Sequence, residues 1–130
     1  MGDSTVVEEW FAKAEEDYQF VSKYLPEENE FFAQLCFHCQ QAAEKYFKTY
    51  IVAQKLPLRK THDLKILTKL CVQGDTSFRQ LGEEATLLNP YYVDTRYPAV
   101  WPTGFTKDDA QRALEAAGRV RELVKAKLSL

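Results

Sequence analysis

The chain has 130 residues, a formal net charge of −2 and 45% hydrophobic residues. This length suits one domain with a real core, and the hydrophobic fraction argues against disorder. The net charge excludes a protein whose whole surface attracts polyanions, so any such site must be a local basic patch. No apolar run reaches the ~18 residues of a membrane-spanning helix, and the N-terminus lacks a signal-peptide pattern. We therefore expect a single cytoplasmic domain over residues 1–130, without membrane association.

Three cysteines lie among apolar residues. Cys36 and Cys39 are one helical turn apart, and Cys71 ends another apolar stripe. No second Cys/His pair completes a tetrahedral zinc site. We expect buried, reduced thiols and neither a metal nor a cofactor.

Two long segments at the ends of the chain have apolar residues at the three- and four-residue spacing of a helix face. The first is expected to begin at a cap, Ser4 or Thr5, and to end at Pro26. The other begins at Thr106, which can form a capping box with Asp109.

A further long helix is predicted from residue 29 to residue 55. Its apolar stripe is wide, so this helix should be central and contact more than one neighbour. Because the stripe is wider than two neighbours in one bundle cover, we also expect a homodimer.

Two shorter helices should follow a break at Pro57. One opens at Thr61 or His62, and the other spans residues 78–88. Residues 89–104 are predicted to be an aromatic loop, and no segment alternates like a strand. The expected fold is all-α, an up-and-down helical bundle of about five helices, three long and two short.

Glu44 and Lys48 have the i, i+4 spacing of an ordinary ion pair on a solvated helix face. Further cations follow the second helix, so one basic cluster can form near its end. The members of that predicted cluster are Lys45, Lys48, Lys55, Arg59 and Lys60.

The two histidines are expected to differ. His62 precedes Asp63 at a helix start, where the helix dipole disfavours a protonated imidazole. A neutral ring that caps or hydrogen-bonds its own turn is one interpretation, and ligand contact or proton transfer is the other. His38 lies inside the second helix and is expected to be a satisfied, buried or half-buried residue.

Residues 94–98 form the loop with the clearest binding chemistry. Arg96 can bind a phosphate through two parallel hydrogen bonds (bidentate binding) while the ring of Tyr97 stacks on a base. Alternatively, Arg96 pairs with Asp94 and the tyrosines close the open end of the bundle.

Three stretches together resemble the HEPN family: residues 32–48 with their QQAAEK core, residues 59–64 (RKTHDL) and residues 96–98 (RYP). The resemblance implies a five-helix bundle that commonly pairs into a homodimer and associates with nucleotides or nucleic acid. Many small prokaryotic members partner a minimal nucleotidyltransferase. Others are metal-independent endoribonucleases, frequently toxins, with a site of Arg, four to six further residues and then His.

This sequence departs from the ribonuclease pattern. The positions at that spacing after Arg96 are Trp101, Pro102 and Thr103, and no other arginine is followed by a suitably spaced histidine. We therefore expect a non-catalytic module that binds a nucleotide or RNA phosphate, with a nucleotidyltransferase as the partner that the resemblance suggests. The candidate ligand residues are Lys45, Lys48, Arg59, His62, Arg96 and Tyr97.

Two alternatives remain open. One is an endoribonuclease that uses His62 and Arg96 across a dimer cleft in a non-standard geometry. The other is a structural subunit whose exposed apolar face binds another protein.

Overall fold

The computed structural model describes residues 3–95 and 104–130, in which every regular element is a helix. The three long helices are α1 (Ser4–Tyr24), α2 (Phe32–Ala53) and α6 (Lys107–Leu128). Between α2 and α6 lie α3 (Leu64–Gly74), a 3-10 helix (Thr76–Leu81), α4 (Gly82–Leu88) and α5 (Tyr91–Asp94). The predicted all-α bundle is confirmed. In these two ranges no helix is both long and apolar enough to cross a membrane.

The second long helix is central, as predicted. α1 and α6 both pack extensively along α2, while α3, α4 and α5 cover more of it. As a result, 14 of the 22 residues of α2 are buried. Because neighbours in the same chain cover this wide face, its width no longer argues for a second copy. Homodimerisation stays a prediction that rests on the family resemblance.

The core is one connected cluster of buried side chains contributed by all the long helices. The largest members are aromatic: Tyr46 and Phe47 from α2, and Phe78 from the 3-10 helix. Four alanines of α6 are fully buried, and their small size allows the close approach of α6 to the core: Ala110, Ala113, Ala116 and Ala117.

The three cysteines are free and buried, as predicted. Burial raises the pKa of the Cys36 thiol to about 12, and it raises the pKa of Cys39 and Cys71 as well. Such thiols stay protonated, whereas metal binding requires thiolates. Across residues 3–95 and 104–130, no group of His, Cys, Asp or Glu side chains is placed to hold a metal ion.

Two helix caps differ from the predictions. Asp3, and not Ser4 or Thr5, caps α1 by accepting the amide of Thr5 at 2.8 Å. Asp63, and not Thr61 or His62, caps α3 by accepting the amide of Lys65 at 2.9 Å. In both places the carboxylate next to the predicted hydroxyl or imidazole is the better acceptor for unpaired helix amides.

Two other boundaries also differ. α2 begins three residues later than predicted, because Asn29 forms a turn in which its Oδ1 accepts the amide of Phe31 at 2.9 Å. The segment predicted as an aromatic loop contains α5, a single helical turn that starts after Pro90 and buries Tyr91. The capping box of α6 is confirmed, with Thr106 and Asp109 in reciprocal hydrogen bonds.

Candidate functional site

A buried carboxylate of α2 joins two of the predicted ligand residues. Glu44 Oε2 accepts a hydrogen bond from Lys48 Nζ at 2.9 Å, and Glu44 Oε1 accepts one from His62 Nδ1 at 2.9 Å. Only 6% of the Glu44 side chain is exposed. A carboxylate this buried can keep its charge because each of its two oxygens accepts a hydrogen bond. We call Gln40, Glu44, Lys48 and His62 the Glu44 cluster.

The predicted solvated position of the Glu44–Lys48 pair is wrong. The pair forms, but 9% of the Lys48 side chain is exposed, and Lys48 Nζ lies 5.8 Å from the ring centroid of Trp10 in α1. The i, i+4 spacing predicted the contact correctly. It could not show that α1 and the loop before α3 cover this side of α2.

Two glutamines tie the loop before α3 to α2. Gln40, which is fully buried, donates from Nε2 to the backbone oxygen of His62 at 3.2 Å. Gln41 Nε2 donates in turn to Gln40 Oε1 at 2.7 Å. The main chain of His62 is therefore fixed independently of its imidazole.

Two contacts fix the imidazole of His62: a hydrogen bond at one edge of the ring and a stacked tyrosine on one face. An ionised carboxylate can only accept, so Nδ1 carries the proton in the bond to Glu44 and Nε2 points away from it. One face of the ring stacks on Tyr92 of α5, with the centroids 4.0 Å apart and the planes at 15°. Half of the side chain, 50%, is exposed. His62 therefore bonds across to α2 and not to its own turn, which corrects the capping interpretation.

Tyr91, the residue before Tyr92, fixes the position of α5. Tyr91 is buried against the core, and its ring meets Phe105 at 5.8 Å. Burial raises the pKa of Tyr91 to about 12, so its hydroxyl stays neutral. The single turn of helix then directs Tyr92 towards His62.

Lys45 is bound elsewhere. Its Nζ donates to Asp17 Oδ2 of α1 at 2.6 Å, and His38 Nδ1 donates to the other oxygen at 2.8 Å. Burial alone would raise the pKa of Asp17, but the hydrogen bonds from His38 and Lys45 outweigh it, and the pKa is lowered. We call these three residues the Asp17 cluster. His38 is half-buried and satisfied, as predicted.

The remaining predicted residues fall into two groups. Arg59 is exposed and lines a shallow groove of about 210 Å³ together with Lys69 of α3. Arg96 and Tyr97 lie outside the described residues. The structure therefore brings Lys48 and His62 together through Glu44, and it places Lys45 with a different acid.

Residues 7–127 match the family model of the HEPN domain. This chain belongs to the HEPN domain family. It is similar to the crystal structure of ST0689, described as an archaeal HEPN homologue, with a TM-score of 0.73 and 27% identity. The match covers 93% of this chain and 96% of that one. A comparison with curated proteins gave no match.

A spacious groove on another side of this HEPN domain is a poor place for a phosphate. It has a volume of about 720 Å³ and lies between the 3-10 helix, α4 and α6. Its polar rim is mainly acidic: Glu84, Glu115 and Glu122. The one cation there, Arg119, is bound to Glu84 at 2.7 Å. Carboxylates that outnumber the available cations repel an anion, so cavity volume does not mark a phosphate site here.

Three members of the site were not predicted from this HEPN sequence. Gln40 was not singled out, Glu44 was considered only as the partner of Lys48, and Tyr92 was placed in a loop. One signal was present in the sequence. Gln40, Glu44 and Lys48 follow each other at four-residue steps, which places three polar side chains in one line along the helix.

Proposed function

We propose that this HEPN domain binds a phosphate-bearing nucleotide or RNA at the exposed edge of His62, without cleaving it. The bond of Glu44 to His62 Nδ1 is the observation that carries the proposal, because it leaves Nε2 for a second partner. A protonated imidazole would donate from Nε2 to a phosphate oxygen while Glu44 balances its charge. Family membership supports nucleotides and RNA as the ligand class.

The other predicted residues take different roles in the proposed site. Lys48 is a positioning residue, because its ammonium group is paired with the Glu44 carboxylate. Arg59 is an exposed cation three residues before His62. Arg96 and Tyr97 stay in the proposed site, since Arg96 follows Tyr92 by only four positions along the chain. Lys45 is left out because Asp17 binds it.

The binding test is a titration of wild-type protein with nucleoside triphosphates, UMP and short single-stranded RNA at low and moderate salt. His62→Gln should weaken binding about tenfold or more, the loss expected for one charge-assisted hydrogen bond. His38→Gln is the matched control, because His38 has the same kind of carboxylate and lysine neighbours. The proposal fails if wild-type protein binds no ligand at millimolar concentration, or if both variants lose binding equally.

A second candidate function is metal-independent RNA cleavage, and the same hydrogen bond favours it. A neutral His62 with its proton on Nδ1 presents a basic Nε2. Nε2 would take the proton of a ribose 2′-hydroxyl, the 2′-oxygen would attack the adjacent phosphorus, and the leaving 5′-oxygen would gain a proton from water. This candidate requires cleavage of RNA in EDTA that Glu44→Gln slows and His62→Gln abolishes. Purified wild-type protein that leaves mixed RNAs intact excludes it.

The family resemblance extends the proposal to partners. We propose a homodimer that presents its bound phosphate group to a minimal nucleotidyltransferase. Three exposed aromatic residues near the α1–α2 connection, Phe20, Tyr24 and Phe31, support a protein-binding surface. Light scattering should give a mass about twice 15.0 kDa, falling towards 15.0 kDa in Phe20→Ser/Phe31→Ser. A concentration-independent monomer would remove the dimer and leave the binding proposal untouched.

A further inference from the structure

Basic residues are concentrated in one short segment of this mildly acidic chain. Residues 59–69 hold four of the 17 basic residues and one of the 19 acidic residues. All four basic side chains are exposed. We call them the α3 basic face: Arg59, Lys60, Lys65 and Lys69.

Six other cations in the described ranges each bind a carboxylate, whereas these four do not. Elsewhere, Lys45, Lys48 and Arg121 each bind a carboxylate within 3 Å. Within residues 3–95 and 104–130, no member of the α3 basic face forms an ion pair. One acid lies among them: Asp63, whose Oδ1 accepts the backbone amide of Lys65 and the side-chain amide of Asn89 and which forms no ion pair with the four cations.

The arrangement is extended. Lys65 and Lys69 are one helical turn apart on the outer side of α3, which separates their Cα atoms by about 6 Å along the axis. Arg59 and Lys69 line the same shallow groove, with Gln73 beside them. The α3 basic face therefore offers a row of positive positions. Such a row suits several phosphates in sequence better than one enclosed phosphate.

We propose that the α3 basic face binds the sugar-phosphate backbone of single-stranded RNA, whose neighbouring nucleotide occupies the proposed His62 site. The inference rests on the proposed function, and it narrows the ligand from a mononucleotide to a polynucleotide. The path from Lys69 to His62 crosses from the outer side of a helix to the loop before it. A flexible single strand follows such a turn, whereas a duplex with a persistence length of ~50 nm does not bend over this distance.

The test is fluorescence anisotropy of a labelled U12 RNA at several salt concentrations, with UMP measured in parallel. Lys65→Gln/Lys69→Gln should lower the slope of log K against log salt by about 1.4, because each phosphate contact on a single strand contributes about 0.7. Affinity for U12 should fall about tenfold near 0.1 M salt, and affinity for UMP should not change. Lys13→Gln/Lys107→Gln, the same charge change on α1 and α6, should leave the slope as in wild type.

The outcomes separate the two claims. The inference is overturned if U12 binds no more tightly than UMP, or if the double variant keeps the wild-type slope. It is also overturned if the protein binds phosphatidylglycerol vesicles but no RNA. UMP binding that depends on His62 would then still support the proposed function. Conversely, U12 binding that depends on Lys65 and Lys69 but is unchanged by His62→Gln supports the basic face and removes the His62 site.

Discussion

Two clusters on α2 contain the same three kinds of side chain, a carboxylate bound by a histidine Nδ1 and a lysine Nζ. In the Asp17 cluster the distances are 2.8 Å and 2.6 Å, and in the Glu44 cluster both are 2.9 Å. The exposed fractions of the two imidazoles are similar, 35% for His38 and 50% for His62. Residue type and spacing thus do not distinguish them.

Their surroundings do distinguish them. The members of the Asp17 cluster all belong to α1 and α2, and the ring of His38 packs against Phe20 at 4.7 Å. The Glu44 cluster joins α2 to a loop, and its imidazole stacks on Tyr92 shortly before the segment that contains Arg96. The first cluster ties two helices together. The second holds an imidazole where three parts of the chain meet, which is why we propose it as the binding site.

The largest effect should come from removing the more buried carboxylate. Glu44→Ala leaves the Lys48 ammonium and the Nδ1–H of His62 without a partner, and breaking a buried pair in this way costs about 3–5 kcal/mol. Urea denaturation measures the free energy of unfolding. Glu44→Leu/Lys48→Met should recover most of the loss, because apolar residues of similar volume can replace a buried ion pair. A loss below about 1 kcal/mol for Glu44→Ala would show that water reaches Lys48.

Removing the other carboxylate should cost less. Asp17→Ala is expected to lose about 1.5–3 kcal/mol, the range of hydrogen bonds to charged groups, because Lys45 and His38 are more exposed and can be hydrated. A loss equal to that of Glu44→Ala would remove the distinction between the clusters.

Acid should weaken the Asp17 cluster. The folded pKa of Asp17 lies below its ordinary value of 3.8, so its contribution is present above that value and is lost as the pH falls through the folded pKa. Glu15 behaves alike, because hydrogen bonds from Arg121 and Tyr46 outweigh the effect of burial and lower its pKa from 4.5. Asp17→Asn should flatten the fall in stability below about pH 4.5, whereas Glu28→Gln, at an exposed acid, should not. If the free energy of unfolding fell equally steeply with pH in both variants, the proposed contribution of Asp17 would be contradicted.

The cap of α3 supports the loop that holds His62. Asp63→Ala should cost about 1 kcal/mol, the usual loss for an N-cap carboxylate. Thr106→Ala, which removes the cap of α6, is the matched control and should cost a similar amount. We expect only Asp63→Ala also to weaken ligand binding, because only that cap adjoins His62. Equal effects on binding would show that the position of His62 does not depend on the cap.

The smallest effect should follow loss of the stack. Tyr92→Leu should cost about 0.5–1 kcal/mol of stability, the range for an aromatic pair beyond its buried area. The variant should increase the mobility of the His62 ring in side-chain relaxation measurements. Unchanged relaxation would mean that Glu44 alone fixes the imidazole.

The sequence predicted local features better than distant ones. The capping box of Thr106 and Asp109 is contained in four residues, so it could be identified directly. α5 was missed because four residues are too few to show a helical period. The bond between Glu44 and His62 joins residues 18 positions apart, and only the packing of the loop against α2 creates it. Lys45 and Lys48 are only three residues apart, yet Lys45 binds Asp17 of α1 and Lys48 binds Glu44 of its own helix.

The most direct test of the account is ¹⁵N NMR of the histidine side chains during titration with UMP. The chain has two histidines, so each resonance can be assigned with a single substitution. We predict that Nε2 of His62 shifts on binding, that its Nδ1 stays protonated by the bond to Glu44, and that His38 does not respond. A bound ligand that leaves His62 unchanged, or that shifts both rings alike, would contradict the proposed site.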